Sequence, residues 1–137
     1  MPDLQLHLVN AIMMDHGNHD PKKDGYTVHA CQLRPESRGR ICLASADPFA
    51  DPAIDPNHLA TEEDRRAMRQ AVKMVREVCA QDALKPFTGA EIMPGAGVVS
   101  DDDIVAFVRR TGETIYHPVG TVAMGASDNF PLDGELR

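Results

Sequence analysis

Three stretches in the first third of the chain have apolar patterns typical of β-strands. In residues 4–14 the alternation passes into a continuous apolar run, which predicts a strand that becomes buried on both faces. Residues 26–33 predict a second strand, with one face formed by Tyr26, Val28, Ala30 and Gln32. Residues 40–44 predict a third, and the short turn before it favours antiparallel pairing of the second and third strands. Residues 47–56 contain three prolines and predict an extended, irregular segment.

Two amphipathic helices are predicted farther along the chain. Thr61 caps the first helix, with Asp64 in place of the usual glutamate of a capping box. The apolar stripe of this helix consists of Met68, Ala71, Val72, Val75, Val78 and Cys79. Ser100 caps a shorter helix that stops at Gly112 and has three aspartates in its first turn. The predicted buried face of the second helix is formed by Ile104, Phe107 and Val108.

The order of these elements indicates the fold class. Strands come first and two separated helices follow, without the strand–helix–strand alternation of parallel sheets. The sequence therefore predicts an α+β fold, an antiparallel β-sheet with helices packed on one face. With 137 residues, the chain has the length of a single domain, residues 1–137, with a modest hydrophobic core.

Charge and cysteine content exclude several classes of function. With 14 Lys and Arg against 21 Asp and Glu, the net charge is −7 and no basic cluster is present, which argues against a nucleic-acid partner. No apolar run approaches the roughly 20 residues of a membrane span, and the N-terminus lacks the pattern of a signal peptide. Three widely spaced cysteines imply no disulfide framework. We therefore expect a reduced, soluble, cytoplasmic chain.

Two other residue patterns resemble ligand sites but have simpler explanations. His16 and His19, flanked by Asp15 and Asp20, lie in a polar loop without a converging set of three or four ligands, so no metal is expected. Residues 95–97, Gly-Ala-Gly, begin like a dinucleotide fingerprint, but the third glycine and the preceding strand are missing. These residues predict a turn before a capped helix and no phosphate-binding loop.

His117 is the strongest catalytic candidate. It lies in an apolar segment directly before Pro118, which favours an extended backbone, and Gly120 permits a close backbone approach. A neutral imidazole held in such a setting can serve as a general base near neutral pH. A packed structural histidine fits the same pattern and is the commoner outcome. The residues alone leave both interpretations open.

Three ordered sequence blocks resemble the glucose–methanol–choline (GMC) oxidoreductases. Residues 116–125, Tyr-His-Pro-Val-Gly-Thr-Val-Ala-Met-Gly, resemble the family's His-Pro-x-Gly-Thr signature. Residues 33–48 resemble its Arg-Pro-x-Ser-Arg-Gly block, and residues 52–59 are similar to its Pro-x-Ile-x-x-Asn-Tyr-Leu continuation. Asp64 and the long helix follow in the expected order. The match is closest to the choline dehydrogenase-like branch.

The resemblance implies an FAD-dependent oxidation of a primary alcohol to an aldehyde, with the CH–OH group as the donor. In the family this C-terminal, substrate-binding region forms an antiparallel sheet, backed by helices, that roofs the flavin. His117 is implied as the catalytic base that takes the hydroxyl proton while hydride passes to flavin N5. Tyr116 is implied to line the substrate pocket, and a core tyrosine is an equal alternative. Choline-like and aliphatic alcohols both fit.

Parts of the family pattern have no counterpart in the chain: the glycine-rich FAD-binding region and a second catalytic residue after the signature. We therefore expect residues 1–137 to be a truncated substrate-binding region, inactive alone and without bound FAD. Its expected partners are a small-molecule alcohol and the missing FAD-binding domain of the same polypeptide. Homodimerisation through exposed surfaces is a hypothesis, as is peripheral membrane association of the full-length protein. The alternative function is a non-catalytic binding or interaction module with the same fold.

Overall fold

The computed structural model describes residues 1–18 and 22–137. Two compact units are present: unit 1 contains Met1–Ser37 and Leu59–Glu113, and unit 2 contains Arg38–His58 and Thr114–Arg137. Short 3₁₀ turns cover Asp15–Gly17 and Lys85–Phe87. The strands and helices, in chain order, are β1 (Leu4–Val9), β2 (Thr27–Gln32), β3 (Arg40–Cys42), β4 (Ala53–Asp55), α1 (Glu62–Cys79) and α2 (Asp101–Thr111).

Unit 1 is an antiparallel strand pair covered by helices. β1 pairs with β2, with Leu4 opposite Gln32 and Val9 opposite Thr27. α1 packs against both strands, and α2 packs against α1. The buried apolar side chains of this unit come from the helices and are Ala67, Ala71, Ile104 and Val108. The predicted α+β fold class is confirmed.

Both helices begin where their capping residues predict. Thr61 Oγ1 accepts the backbone N–H of Asp64 at 3.2 Å, and α1 continues for 18 residues. At the start of α2, Ser100 Oγ accepts the Asp103 N–H at 3.1 Å while the Asp103 carboxylate accepts the Ser100 N–H at 3.2 Å, which completes a capping box. The hydrogen bond with the Ser100 hydroxyl lowers the pKa of Asp103. Neither helix in the described part of the chain combines the length and apolar character that a membrane span requires.

The predicted pairing of the second and third strands is wrong. β2 pairs with β1, whereas β3 pairs with β4 and lies in unit 2. The turn after β2 does not close a hairpin, because the N–H groups of Glu36 and Ser37 donate to the Asp64 carboxylate on α1. A contact with a distant helix residue therefore replaces the hairpin that the turn composition favours.

Two strand boundaries also differ from the prediction. β1 ends at Val9, before the apolar run, and Leu8 is 56% exposed, so the strand does not become buried on both faces. Ala53–Asp55 form β4 inside the segment that the prolines predict to be irregular. Proline disrupts a strand where it removes a needed N–H donor, and Pro52 and Pro56 flank β4 instead of lying within it.

Unit 2 has little regular structure. β3 and β4 pair over three residues each, with Arg40 opposite Asp55, and all six residues are exposed. An isolated parallel bridge joins Met124 to Leu132. All residues of this unit belong to the described part of the chain, and none of them is buried. Backbone pairing and turn contacts therefore hold unit 2 together more than a hydrophobic core does.

Candidate functional site

The segment that carries His117 is irregular and exposed. It starts at Thr114, shortly after the end of α2, and in this fully described stretch no helix or strand occurs before the bridge at Met124. His117 itself is exposed. Within this chain the side chain is therefore not part of a hydrophobic core, and both interpretations of His117, a general base and a structural histidine, stay predictions.

Tyr116 is exposed beside His117. Its backbone has a positive φ of 62°, and its N–H donates to Thr114 Oγ1 at 3.0 Å. In this chain 70% of the residue is exposed, and the alternative of a core tyrosine stays a prediction for the whole protein. A left-handed backbone is uncommon for a bulky residue and occurs where surrounding contacts or function require it. The lining of a substrate pocket by Tyr116 stays a prediction.

Two glycines of the signature shape the backbone of this segment. Gly120 has a φ of 90°, and a Cβ there would meet no atom within 4 Å, so the requirement is conformational and is not the close approach predicted from the sequence. A Cβ on Gly125 would overlap the ring of Phe130. The Gly125 N–H donates to the Leu132 carbonyl at 3.0 Å, beside the bridge between residues 124 and 132. Both glycines therefore allow the backbone conformation of the segment that contains His117.

A buried carboxylate, that of Asp64, holds part of the Arg-Pro-x-Ser-Arg-Gly block in unit 1. Only 1% of Asp64 is exposed. Its Oδ1 accepts Gln32 Nε2–H at 2.9 Å and the Glu36 N–H at 2.8 Å. Its Oδ2 accepts the Ser37 N–H at 2.8 Å and the Ser37 hydroxyl. The capping box predicted around Thr61 is therefore incomplete, because the side chain of Asp64 binds β2 and the turn that follows it.

The same hydrogen bonds determine the charge of Asp64. Burial by itself raises the pKa of this carboxyl group. The hydrogen bonds from the Ser37 hydroxyl, from the Glu36 and Ser37 backbone and from Gln32 outweigh burial and lower the pKa to about 2. Asp64 is therefore ionised at neutral pH, and its charge is matched by donors from three residues.

Ser37 extends this network to the chain that returns from unit 2. Its Oγ accepts the N–H of Ala60 at 2.9 Å and that of Thr61 at 3.3 Å. The Arg65 guanidinium binds the carbonyl oxygens of Leu59 and Ala60 at 2.9 and 2.8 Å. The point where the chain leaves unit 1 and the point where it returns are thus tied together at the start of α1.

The Arg-Pro-x-Ser-Arg-Gly block and its Pro-x-Ile-x-x-Asn continuation meet again in unit 2. Asn57 Nδ2–H donates to the Arg38 carbonyl at 3.0 Å. A Cβ on Gly39 would overlap the Asp55 carbonyl oxygen and would lie 2.6 Å from the carbonyl carbon of Pro56. Asn57 has a φ of 51°, a conformation that asparagine tolerates better than most residues. These contacts therefore stabilise the backbone where the two blocks lie next to each other.

Of the two histidines in the polar loop, the structure describes only His16. His16 contacts Glu113, and His19 and Asp20 lie outside the described residues. Among the residues that the structure describes, no group of three or more His, Cys, Asp or Glu side chains is arranged to hold a metal ion.

The helix N-termini of the described chain do not fit the pyrophosphate of a dinucleotide. The first turn of α1 carries Glu62, Glu63 and Asp64, and that of α2 carries three aspartates. Thr61 and Ser100 already cap these ends. A phosphate binds a helix N-terminus through N–H groups and a positive field, and fixed carboxylates oppose both. These two helix N-termini therefore do not suit the pyrophosphate of FAD.

Comparison with known proteins finds relatives over nearly the whole chain. A family model described as GMC oxidoreductase matches residues 35–136. An alcohol dehydrogenase (acceptor) of Pseudomonas putida is 47% identical over 136 residues, which are 99% of this chain and 25% of that protein. The mitochondrial choline dehydrogenase of Mus musculus is 43% identical over 128 residues, which are 93% of this chain and 22% of that protein.

A solved structure has the same fold. The crystal structure of pyridoxine 4-oxidase from Mesorbium loti matches with a TM-score of 0.89 at 26% identity, over 99% of this chain and 27% of that chain. The chain thus spans about a quarter of the length of the relatives that it matches.

Proposed function

Because the chain belongs to the GMC oxidoreductase family, we propose that it is the substrate-binding region of an FAD-dependent dehydrogenase or oxidase that converts a primary alcohol to an aldehyde. The observation that carries this proposal is the exposed His117 within the His-Pro-x-Gly-Thr signature. Relatives named as alcohol and choline dehydrogenases support an alcohol as the substrate class.

His117 is the proposed general base. Its neutral imidazole takes the proton of the substrate hydroxyl group, and the oxygen is left with the electron pair of that O–H bond. That pair forms the second bond of the aldehyde carbonyl as the C–H bond breaks and its electrons leave as hydride. FAD, held by the rest of the polypeptide, would supply the acceptor for this hydride. A base beside the hydroxyl group accelerates the reaction because an alkoxide releases hydride far more readily than a neutral alcohol.

Tyr116 is proposed to line the substrate pocket next to His117. Its ring is exposed, and an aromatic face attracts a quaternary ammonium group such as that of a choline-like alcohol. The chain has only two Tyr, four Phe and no Trp, so an aliphatic alcohol fits equally well. Measuring KM for both substrates in a Tyr116→Ala variant separates them, since the cationic substrate loses the attraction to the aromatic face in addition to apolar contact and should show the larger rise in KM.

FAD is proposed to bind through the FAD-binding domain of the same polypeptide, because the helix N-termini of this chain carry carboxylates where a pyrophosphate would bind. The purified 137-residue chain is therefore expected to contain no flavin and to have no turnover. Its visible absorbance spectrum checks this expectation. A flavin band that co-purifies with the chain would contradict it.

Replacing His117 with alanine in the full-length enzyme tests the proposed reaction. We expect kcat to fall by about 10²-fold or more, which is the scale of general-base catalysis. His58→Ala removes another exposed histidine and is the matched control, which should retain turnover. Wild-type turnover in His117→Ala would refute the role of base. A full-length protein without flavin would refute the enzyme class and favour the non-catalytic binding module.

Homodimerisation and cytoplasmic location are proposals that accompany this function. Exposed apolar side chains, among them Phe49 and Val119, favour association of two copies. Sedimentation that shows only monomer at high protein concentration would refute the dimer. Cell fractionation of the full-length protein checks the location and distinguishes it from peripheral membrane association.

A further inference from the structure

We propose that Glu113 is a positioning residue for the segment that carries His117. This inference rests on the proposed role of His117 as the base. The Glu113 carboxylate accepts the backbone N–H of His16 with both oxygens, at 3.1 and 3.2 Å. The Nδ1 atom of His16 lies 3.3 Å from the same carboxylate. The contact joins the end of α2 to the loop after β1, across 97 positions of the chain.

The local sequence does not favour a carboxylate at residue 113. Glu113 directly follows Gly112, the C-terminal cap of α2, where the helix dipole is negative. Cations are preferred at this end, and Arg109 and Arg110 in the last turn meet that preference. Glu113 opposes it. The tertiary contact with His16 therefore explains the carboxylate better than the helix does.

The partner loop is also in a conformation that needs external support. Asp15 and His16 have φ values of 49° and 52°, and Gly17 follows with 84°. Left-handed backbone at two consecutive non-glycine residues is unfavourable and persists only where surrounding contacts determine it. The bond from the His16 N–H to Glu113 is one such contact. The contact between Glu113 and His16 thus joins a carboxylate at an unfavourable helix end to a loop with an unfavourable backbone conformation.

The place of Glu113 in the chain connects this contact to the candidate site. His117 lies four residues farther on, at most about 14 Å along an extended chain. The stretch between them contains no helix or strand, so its course depends strongly on where it starts. Glu113 fixes that start to unit 1. Since a shift of about 1 Å in a reacting group can cost up to 10²-fold in rate, an anchor at this point affects proton transfer.

Kinetics of Glu113 variants in the full-length enzyme test the inference. We expect Glu113→Ala to lower kcat by about 10- to 100-fold, with KM for the alcohol and flavin content unchanged. Glu113→Gln should lie between the wild type and alanine, because the amide oxygen still accepts the His16 N–H. Glu77→Ala removes an exposed glutamate from α1 and is the matched control, with wild-type kcat. A role in folding alone would not separate kcat from KM in this way.

Hydrogen–deuterium exchange of the same proteins provides a measurement independent of turnover. The His16 amide should exchange at least about 10-fold faster in Glu113→Ala than in the wild type. Unchanged exchange would overturn the proposal. If the alanine variant loses flavin, the glutamine variant decides by both measurements: faster exchange of the His16 amide with lowered kcat at wild-type KM supports a positioning role, and faster exchange with wild-type kcat refutes it.

The failure of this inference can be told from that of the proposed function. Wild-type turnover in His117→Ala refutes the proposed function itself. Loss of turnover in His117→Ala together with wild-type kcat in Glu113→Ala refutes only the positioning role.

Discussion

Replacing Asp64 with asparagine keeps the shape of the side chain but removes its charge and one acceptor atom. In the folded chain, each carboxylate oxygen of Asp64 receives two donors, one pair from Gln32 and Glu36 and the other from Ser37. The oxygen of an amide can serve only one pair, and its NH₂ group then faces the donors of the other. Buried donors without an acceptor cost about 1–3 kcal/mol each, so losing the acceptor of one pair should lower the free energy of unfolding of Asp64→Asn by about 2–6 kcal/mol at pH 7.

The lowered pKa of Asp64 leads to a similar magnitude. The carboxyl pKa falls from 3.8 to about 2 in the folded chain, and one pKa unit corresponds to about 1.4 kcal/mol. The ionised group therefore contributes about 2 kcal/mol to the free energy of unfolding. Because the folded-state pKa is the lower one, this contribution is present above about pH 4 and is lost as the pH falls towards about 2.

Urea unfolding followed by the helical circular dichroism signal measures both effects, since both helices lie in unit 1 with Asp64. At pH 7 the variant should unfold at a lower urea concentration than the wild type. At pH 3 the wild type should have lost about half of the Asp64 contribution, so the difference between the two proteins should shrink by about 1 kcal/mol.

A matched variant and one outcome decide the interpretation. Asp24→Asn makes the same chemical change at an exposed loop residue and should alter the free energy of unfolding by no more than about 0.5 kcal/mol. A wild-type midpoint in Asp64→Asn, or a difference that does not shrink at pH 3, would refute the inferred network around the carboxylate.

Two further substitutions test contacts of each unit. Gly39→Ala should destabilise the β3–β4 pair by about 1–3 kcal/mol, because the new Cβ overlaps a backbone carbonyl oxygen. Faster amide exchange in β3 would confirm this. Gly97→Ala is the control and should behave as the wild type, because a Cβ at that position meets no atom within 4 Å. Arg76→Ala should cost about 2 kcal/mol, because its guanidinium binds the Glu91 carboxylate at 2.9 and 3.1 Å and two carbonyl oxygens. A thermal midpoint as high as that of Arg66→Ala, which loses only an exposed ion pair, would contradict this expectation.

The helices and the fold class could be predicted because their signals are local. The three- and four-residue spacing of apolar side chains and the caps Thr61 and Ser100 lie within a few residues of the structure that they determine. The family resemblance was equally accessible, since the residues of each block are contiguous. A period of two likewise predicted β2 and placed Gln32 on the same face as Val28 and Ala30; in the structure Gln32 donates to Asp64 of α1.

Strand pairing could not be predicted in the same way. Alternation of apolar and polar residues predicts a strand but does not indicate which other strand it pairs with. The turn after β2 has the composition of a hairpin loop, yet its N–H groups bind a carboxylate 27 and 28 positions farther along the chain. The predicted hairpin is therefore absent because of a contact with a residue far away in the sequence, which the sequence of the turn itself does not reveal.

For the candidate site, the amino-acid sequence alone identifies the reactive group: an imidazole directly before proline, within a recognisable signature. The exposure of His117 and Tyr116, and the hydrogen bond from the His16 backbone to Glu113, become visible only in the folded chain. The identity of a side chain is a property of its own position. Its burial and its anchor depend on residues far away in the chain, which come together only when the backbone has folded.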